Sequence, residues 1–228
     1  MKKNNIFKDL KHQLIVSCQA DEKNPLYCEE SSIMKSMAKA AEQAGAKAVC
    51  AEGVTDVAHI KEIIDLPVIG LIKKTYSDSA VELTLTLDEV DQLVEAGADM
   101  IVIDGTEQKH GEGKKLKAFV KEIREKHGDI PLIANVSNVD EGVTAEKAGV
   151  DLVSTDTAHD ENSDEVNYDL IKKLRKNIKL PIIAVGKIQT PKQAKKACEY
   201  GAFSVIVGDA ITNPERIAKR FIDKLEEL

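Results

Sequence analysis

The chain has 228 residues, of which 43% are hydrophobic and 31% charged, with a formal net charge of -7. This is an ordinary soluble composition at a length that suits one large α/β domain over residues 1–228. The acidic balance argues against nucleic acid as the main partner, and 4% aromatics with no Trp leave little on which to stack bases.

The first residues, Met1-Lys2-Lys3-Asn4-Asn5, are charged without an apolar core, and no long apolar run follows. We therefore expect no signal peptide and no membrane partner. Cys18, Cys28, Cys50 and Cys198 form neither a CxxC nor a CxxH pattern. They read as reduced thiols of a cytoplasmic protein.

A first strand is expected over 13–18. The next segment, 32–44, is helical, with Ile33, Met34, Met37, Ala38 and Ala41 on one face. A strand through Val49-Cys50-Ala51 follows, then one over 67–72. Thr86-Leu87-Asp88-Glu89 is a capping box that opens a helix with Val90, Leu93 and Val94 inward. Met100-Ile101-Val102-Ile103 is a strand, as are 131–135 and 181–185. Thr190-Pro191 supplies an N-cap and an N1 proline to the helix that runs to Glu199. These strands are almost continuously apolar, as parallel strands buried on both faces must be.

A period runs through this order. Gly45, Gly97, Gly149 and Gly201 recur every 52 residues, each ending a helix and preceding a strand. Each glycine suits a left-handed helix cap. Each period holds two βα units, which makes about eight in all and predicts a closed parallel (β/α)8 TIM barrel. Barrel enzymes build their sites at the C-terminal ends of the strands. There the sequence places Ser17 and Gln19, Glu52, Lys73, Asp104, Asn135, Thr155 and Asp156, Gly186 and Lys187, and Gly208 and Asp209.

Lys73 closes an apolar strand, where a partly desolvated amine can act as a base or form a Schiff base. Glu52 and Asp104 can orient it, act as acids, or cap the structure that follows. Ser17, Gln19, Asn135 and Thr155 are candidate substrate ligands. Gly186, Lys187, Gly208, Asp209 and Ala210 form a candidate phosphate site in the loops after the last two strands. Asp209 would repel a phosphate unless it points away and caps the final helix. The five histidines lack metal-ligand spacing and read as solvated surface, so no metal is expected.

From Leu14 to Phe221 the chain resembles the N-acetylmannosamine-6-phosphate 2-epimerases. The resemblance is carried by Ile15-Val16-Ser17-Cys18-Gln19-Ala20, by Asp65-Leu66-Pro67-Val68-Ile69-Gly70-Leu71-Ile72-Lys73, and by Val207-Gly208-Asp209-Ala210-Ile211-Thr212. It implies a cofactor-free isomerase of amino-sugar and sialic acid catabolism. Such an enzyme removes and returns the C2 proton of a phosphorylated amino sugar, and the resemblance implies a homodimer. It also implies that Gln19 binds substrate and Lys73 is catalytic.

Elsewhere the family's residues are replaced. Cys50 stands for an Arg, Asn135 for an Asp, Val185 for the catalytic Glu, Asn213 for an Arg and Asp209 for a phosphate-loop Gly. Ala158-His159-Asp160-Glu161 replaces a Gly-Tyr loop. Three functions are consistent with this pattern. They are the epimerase with Glu52, Asp104 or Lys187 as the substitute acid, a divergent barrel enzyme on a related sugar acid or phosphate, and a sugar-phosphate-binding pseudoenzyme.

Overall fold

Short apolar segments alternate with amphipathic helices along the chain. The computed structural model describes residues 3–20, 24–28, 32–75, 81–106, 113–155 and 165–228. In chain order the elements are α1 (Lys3–Leu10), β1 (Leu14–Cys18), α2 (Ser32–Gln43), β2 (Ala48–Glu52), α3 (Gly53–Lys61) and β3 (Val68–Leu71). Next come β4 (Lys73–Thr75), β5 (Val81–Leu83), α4 (Leu87–Glu95), β6 (Met100–Asp104), α5 (Leu116–His127), β7 (Leu132–Val136) and α6 (Val139–Ala148). The chain continues with β8 (Leu152–Thr155), α7 (Tyr168–Asn177), β9 (Ile182–Val185), α8 (Pro191–Glu199), β10 (Ser204–Val207), α9 (Asp209–Thr212) and α10 (Pro214–Leu225).

Eight parallel strands among the described residues close a TIM barrel in the order β1-β10-β9-β8-β7-β6-β3-β2. Closure joins β1 to β10 with Ile15 opposite Ile206, and β1 to β2 with Ser17 opposite Cys50. The barrel follows from two layers of burial. Inward residues such as Ile15, Cys50, Ile69, Val102, Ile133 and Ile183 fill the interior. Outward residues such as Val16, Val49, Val68, Ile101 and Val153 pack under the helices with Leu93, Phe119, Ile123 and Leu174.

The periodic glycines all adopt positive φ: Gly45 at 95°, Gly97 at 93°, Gly149 at 93° and Gly201 at 114°. No other residue takes that conformation without strain, so the repeat marks the helix ends. Thr86 accepts from the Glu89 backbone at 3.2 Å, while the Glu89 carboxylate accepts from Thr86 N at 3.1 Å. Thr190 and Gln193 form a second such box before Pro191.

Four features differ from, or add to, the sequence reading. Helix α1 closes the bottom of the barrel, with Ile6 and Leu10 buried in the interior cluster. The segment after β3 begins and ends in the antiparallel pair β4–β5 with Lys73 opposite Leu83. Thr84 clamps its base, accepting from Ile72 N at 3.1 Å through Oγ1 and donating its own N–H to Ile72 O at 2.9 Å. His127, read as surface, has a side chain only 13% exposed, and its Nε2 lies 2.6 Å from Asp91 Oδ1, tying α5 to α4. Finally, α10 has no buried residue. Phe221, Ile222 and Leu225 recur at helical spacing on it and are 69%, 53% and 67% exposed.

Candidate active site

Side chains alternate across a strand, so the interior pattern can be extended toward the barrel mouth. Two residues beyond Ile15, Cys50, Leu71, Val102, Ile133 and Leu152 lie Ser17, Glu52, Lys73, Asp104, Asn135 and Ser154. Lys73 is the hub of this ring. Its Nζ donates to Gln19 Oε1 at 2.7 Å and to Glu52 Oε2 at 2.7 Å. The Lys73 side chain is 37% exposed and that of Glu52 23%. Lys73 is thus ion-paired and open to the mouth, where the sequence reading had a partly desolvated amine.

The Gln19 amide donates in turn to Cys50 Sγ at 3.4 Å. This bond and the Lys73 contact orient Gln19 from both ends. Burial pushes the Cys50 thiol up to about 12, and burial followed by the nearby Cys50 and Asp56 does the same to Cys18. Thiolate is the reactive form. Both thiols are expected to alkylate ~10³-fold more slowly in the native protein than in urea at pH 7.5, a ratio set by the shift from 9.0 to about 12. Mass spectrometry after iodoacetamide treatment reads this directly, and labelling of Cys50 at the urea rate would refute it. The sign for stability follows. Above pH 9.0 the unfolded chain loses these protons first, so stability falls as pH rises toward 12.

The other ring residues are tied to the scaffold. Asp104 is 5% exposed, and its Oδ1 accepts from Thr106 N at 2.8 Å and from Thr106 Oγ1 at 2.6 Å, which fixes the turn after β6. Asn135 lies opposite Asp104 in register and accepts from Ser154 Oγ at 2.9 Å. Thr155 Oγ1 donates to Val185 O at 3.0 Å and accepts from Val185 N at 2.9 Å, which extends the β8–β9 ladder. The Ser17 carbonyl accepts from Thr212 Oγ1 at 2.8 Å.

A polar cleft of about 350 Å³ unites the rest. Ser17, Gln19 and Lys73 line one part, and Gly186, Lys187, Gly208 and Asp209 line another. Gly186 (φ 93°) and Lys187 (φ 56°) are both left-handed, which turns the chain sharply at the end of β9. Asp104, Asn135, Thr155 and Ala210 are not among the lining residues, and Ala210 borders a separate groove on the outer wall. Glu52 stands behind Lys73 and meets the cleft through it. The sequence reading missed Arg216 and Asn24, which also line the cleft. For Arg216 a signal existed: it sits three residues after the Asn213 cap of α10, where a side chain folds back toward the helix start. Asp156, His110 and the Ala158-His159-Asp160-Glu161 segment lie outside the described residues. Among the described residues no group of three His, Cys, Asp or Glu gathers as a metal site, and no helix is long and apolar enough to cross a membrane.

A family model described as "Putative N-acetylmannosamine-6-phosphate epimerase" matches residues 34–227. A protein of Caldanaerobacter subterraneus subsp. tengcongensis named "Putative N-acetylmannosamine-6-phosphate 2-epimerase" is 45% identical, with 98% of this chain and 95% of that protein covered. A Clostridium perfringens protein of the same name is 44% identical over 95% of this chain and 98% of its own length. The chain belongs to the N-acetylmannosamine-6-phosphate epimerase family.

The solved structure of the Clostridium perfringens N-acetylmannosamine-6-phosphate 2-epimerase superposes with a TM-score of 0.89 at 41% identity, covering 96% of this chain and 95% of that one. A thiamine phosphate pyrophosphorylase from Pyrococcus furiosus, at 17% identity, has a TM-score of 0.60 over 98% of both chains and shares the barrel alone. Of the replacements read from the sequence, three line the cleft: Val185 with an apolar side chain, Asp209, and Asn213 with its amide engaged by neighbours. A fourth, Cys50, bonds Gln19.

Proposed function

We propose that the protein is a 2-epimerase interconverting N-acetylmannosamine 6-phosphate and N-acetylglucosamine 6-phosphate, with Lys73 as the base. The observation that carries this reading is the Lys73–Glu52–Gln19 cluster, with both contacts at 2.7 Å, at one side of a cleft that also meets the β9 and β10 loops. In the open-chain sugar, C2 adjoins the C1 carbonyl. Glu52 takes the ammonium proton and the neutral Lys73 amine then removes the C2 proton. The C–H electron pair moves into the C1–C2 bond, and charge collects on the carbonyl oxygen. A proton returned to the opposite face of C2 restores the aldehyde with inverted configuration. Lys187, which lines the same cleft, is the donor for that face. Gln19 fixes the amine and offers its amide to the substrate, while Gly186 and Gly208 receive the phosphate.

A second reading, a sugar-phosphate binder without turnover, is favoured by Val185, which cannot transfer a proton where the resembling family has its acid. Proton NMR in deuterated water with N-acetylmannosamine 6-phosphate separates the two. Loss of the C2 proton signal with appearance of the gluco epimer supports the epimerase. No exchange at high enzyme concentration, with ligand bound, supports the binder.

The described fold also supports a homodimer. Helix α10 exposes an apolar stripe, while the outer wall between β10, β1 and α8 holds an open groove of about 660 Å³ lined by Leu14, Ala194, Cys198, Val205 and Val207. A helix after the last strand would ordinarily cover that wall. We place α10 of each copy in the groove of the other. Cysteines with neither CxxC nor CxxH spacing support a reducing, cytoplasmic setting.

A further inference from the structure

Two residues that line the cleft, Asn213 and Asp209, touch one another: Asn213 Nδ2 donates to Asp209 Oδ1 at 3.3 Å. Asn213 Oδ1 is also engaged, accepting from Arg216 N at 3.2 Å as the cap of α10, and the residue is only 7% exposed. Its amide is therefore committed to the scaffold.

One helical turn on, Arg216 compensates. Helical side chains lean back toward the N-terminus. The Arg216 guanidinium accordingly returns over the start of α9, where Nη1 donates to Asp209 Oδ2 at 2.6 Å. Arg216 lines the same cleft as Lys187 and Gly208. The sequence reading treats Asp209 as a repulsive neighbour for phosphate. With Arg216 bound to it, the carboxylate is neutralised. The Arg216–Asp209 pair is exposed, at 68% and 41%, so water screens it and it holds together weakly. A phosphate offers a guanidinium two charge-assisted bonds in parallel and is the stronger partner.

We propose that Arg216 is the residue that selects a phosphate-ended ligand in this protein, and that Asp209 holds the guanidinium over the cleft and competes with the phosphate for it. The proposal rests on reading the cleft as a sugar-phosphate site. Arg216 is a specificity-determining contact and Asp209 a positioning residue.

The test is calorimetric binding of N-acetylglucosamine 6-phosphate and of inorganic phosphate to the wild type, Arg216→Gln, Arg216→Lys and Asp209→Asn. Arg216→Gln is expected to weaken the sugar phosphate at least tenfold and to abolish competition by inorganic phosphate. Arg216→Lys is expected to recover part of the affinity, without the bidentate geometry. Asp209→Asn is expected to tighten binding severalfold. Affinity of Arg216→Gln within twofold of wild type overturns the Arg216 assignment, and weaker binding by Asp209→Asn overturns the competition. Arg216-dependent binding without C2 exchange leaves this inference standing and removes the epimerase reading. C2 exchange with Arg216-independent binding does the reverse.

Discussion

Replacing Lys73 with Ala is expected to lower kcat by ~10³-fold or more, because no other amine among the described residues bonds both Gln19 and Glu52. KM should change little, since the removed group acts on C2 and not on the phosphate. The fold should persist: the side chain is 37% exposed, and its partner Glu52, at 23%, can be rehydrated. Two further variants separate chemistry from charge. Lys73→Arg keeps the cation and a bond to Glu52 but cannot give up its proton, so it should be nearly as inactive as Ala. Glu52→Gln keeps the hydrogen bond but cannot carry the proton, with an expected loss of ~10²-fold. Exchange of the C2 proton in deuterated water reads all three. Arg at position 73 retaining a tenth of wild-type activity would mean that charge, not proton transfer, is what Lys73 supplies.

The second large effect concerns α10. The protein should sediment at twice its 24.9 kDa chain mass, and Phe221→Asp combined with Ile222→Asp should reduce it to one chain. Burying a Leu, Ile or Phe side chain contributes about 1.5–3 kcal/mol. Phe221, Ile222 and Leu225 are all exposed in the single chain, so a reciprocal exchange buries six such groups against an association cost of about 4–15 kcal/mol. The balance is close enough that two buried carboxylates per helix reverse it. Because α10 contributes no buried residue to its own barrel, the monomeric variant should keep its fold while leaving the groove open. A wild-type protein that sediments at 24.9 kDa would overturn the reciprocal exchange.

How far the sequence reaches can be judged element by element. The four glycines at positions 45, 97, 149 and 201 announced the βα repeat, and the continuous apolar strands announced a sheet covered on both faces. Both signals are local: a left-handed cap requires glycine, and a doubly buried strand has no polar face. The same alternation put Gln19, Glu52 and Lys73 at strand ends on one rim. Their contacts were beyond its reach. That Lys73 would pair with Glu52 and Gln19, while Asp104 turned to Thr106 and Thr155 to Val185, depended on side-chain directions set by barrel closure.

Helix α1 was unreadable for a related reason. Its few apolar residues, Ile6 and Leu10, matter only because the barrel leaves an open floor for them to close. Arg216 was missed in the sequence, and its contact with Asp209 arises only because α9 and α10 fold the two together. Periodicity and glycine chemistry, which act over a few residues, determined the barrel and the rim on which the site stands. Which polar groups meet there, and which are used up in holding the scaffold, was decided by tertiary structure. Those contacts join residues as far apart as Gln19 and Lys73, and only the closed barrel brings such residues within hydrogen-bonding distance.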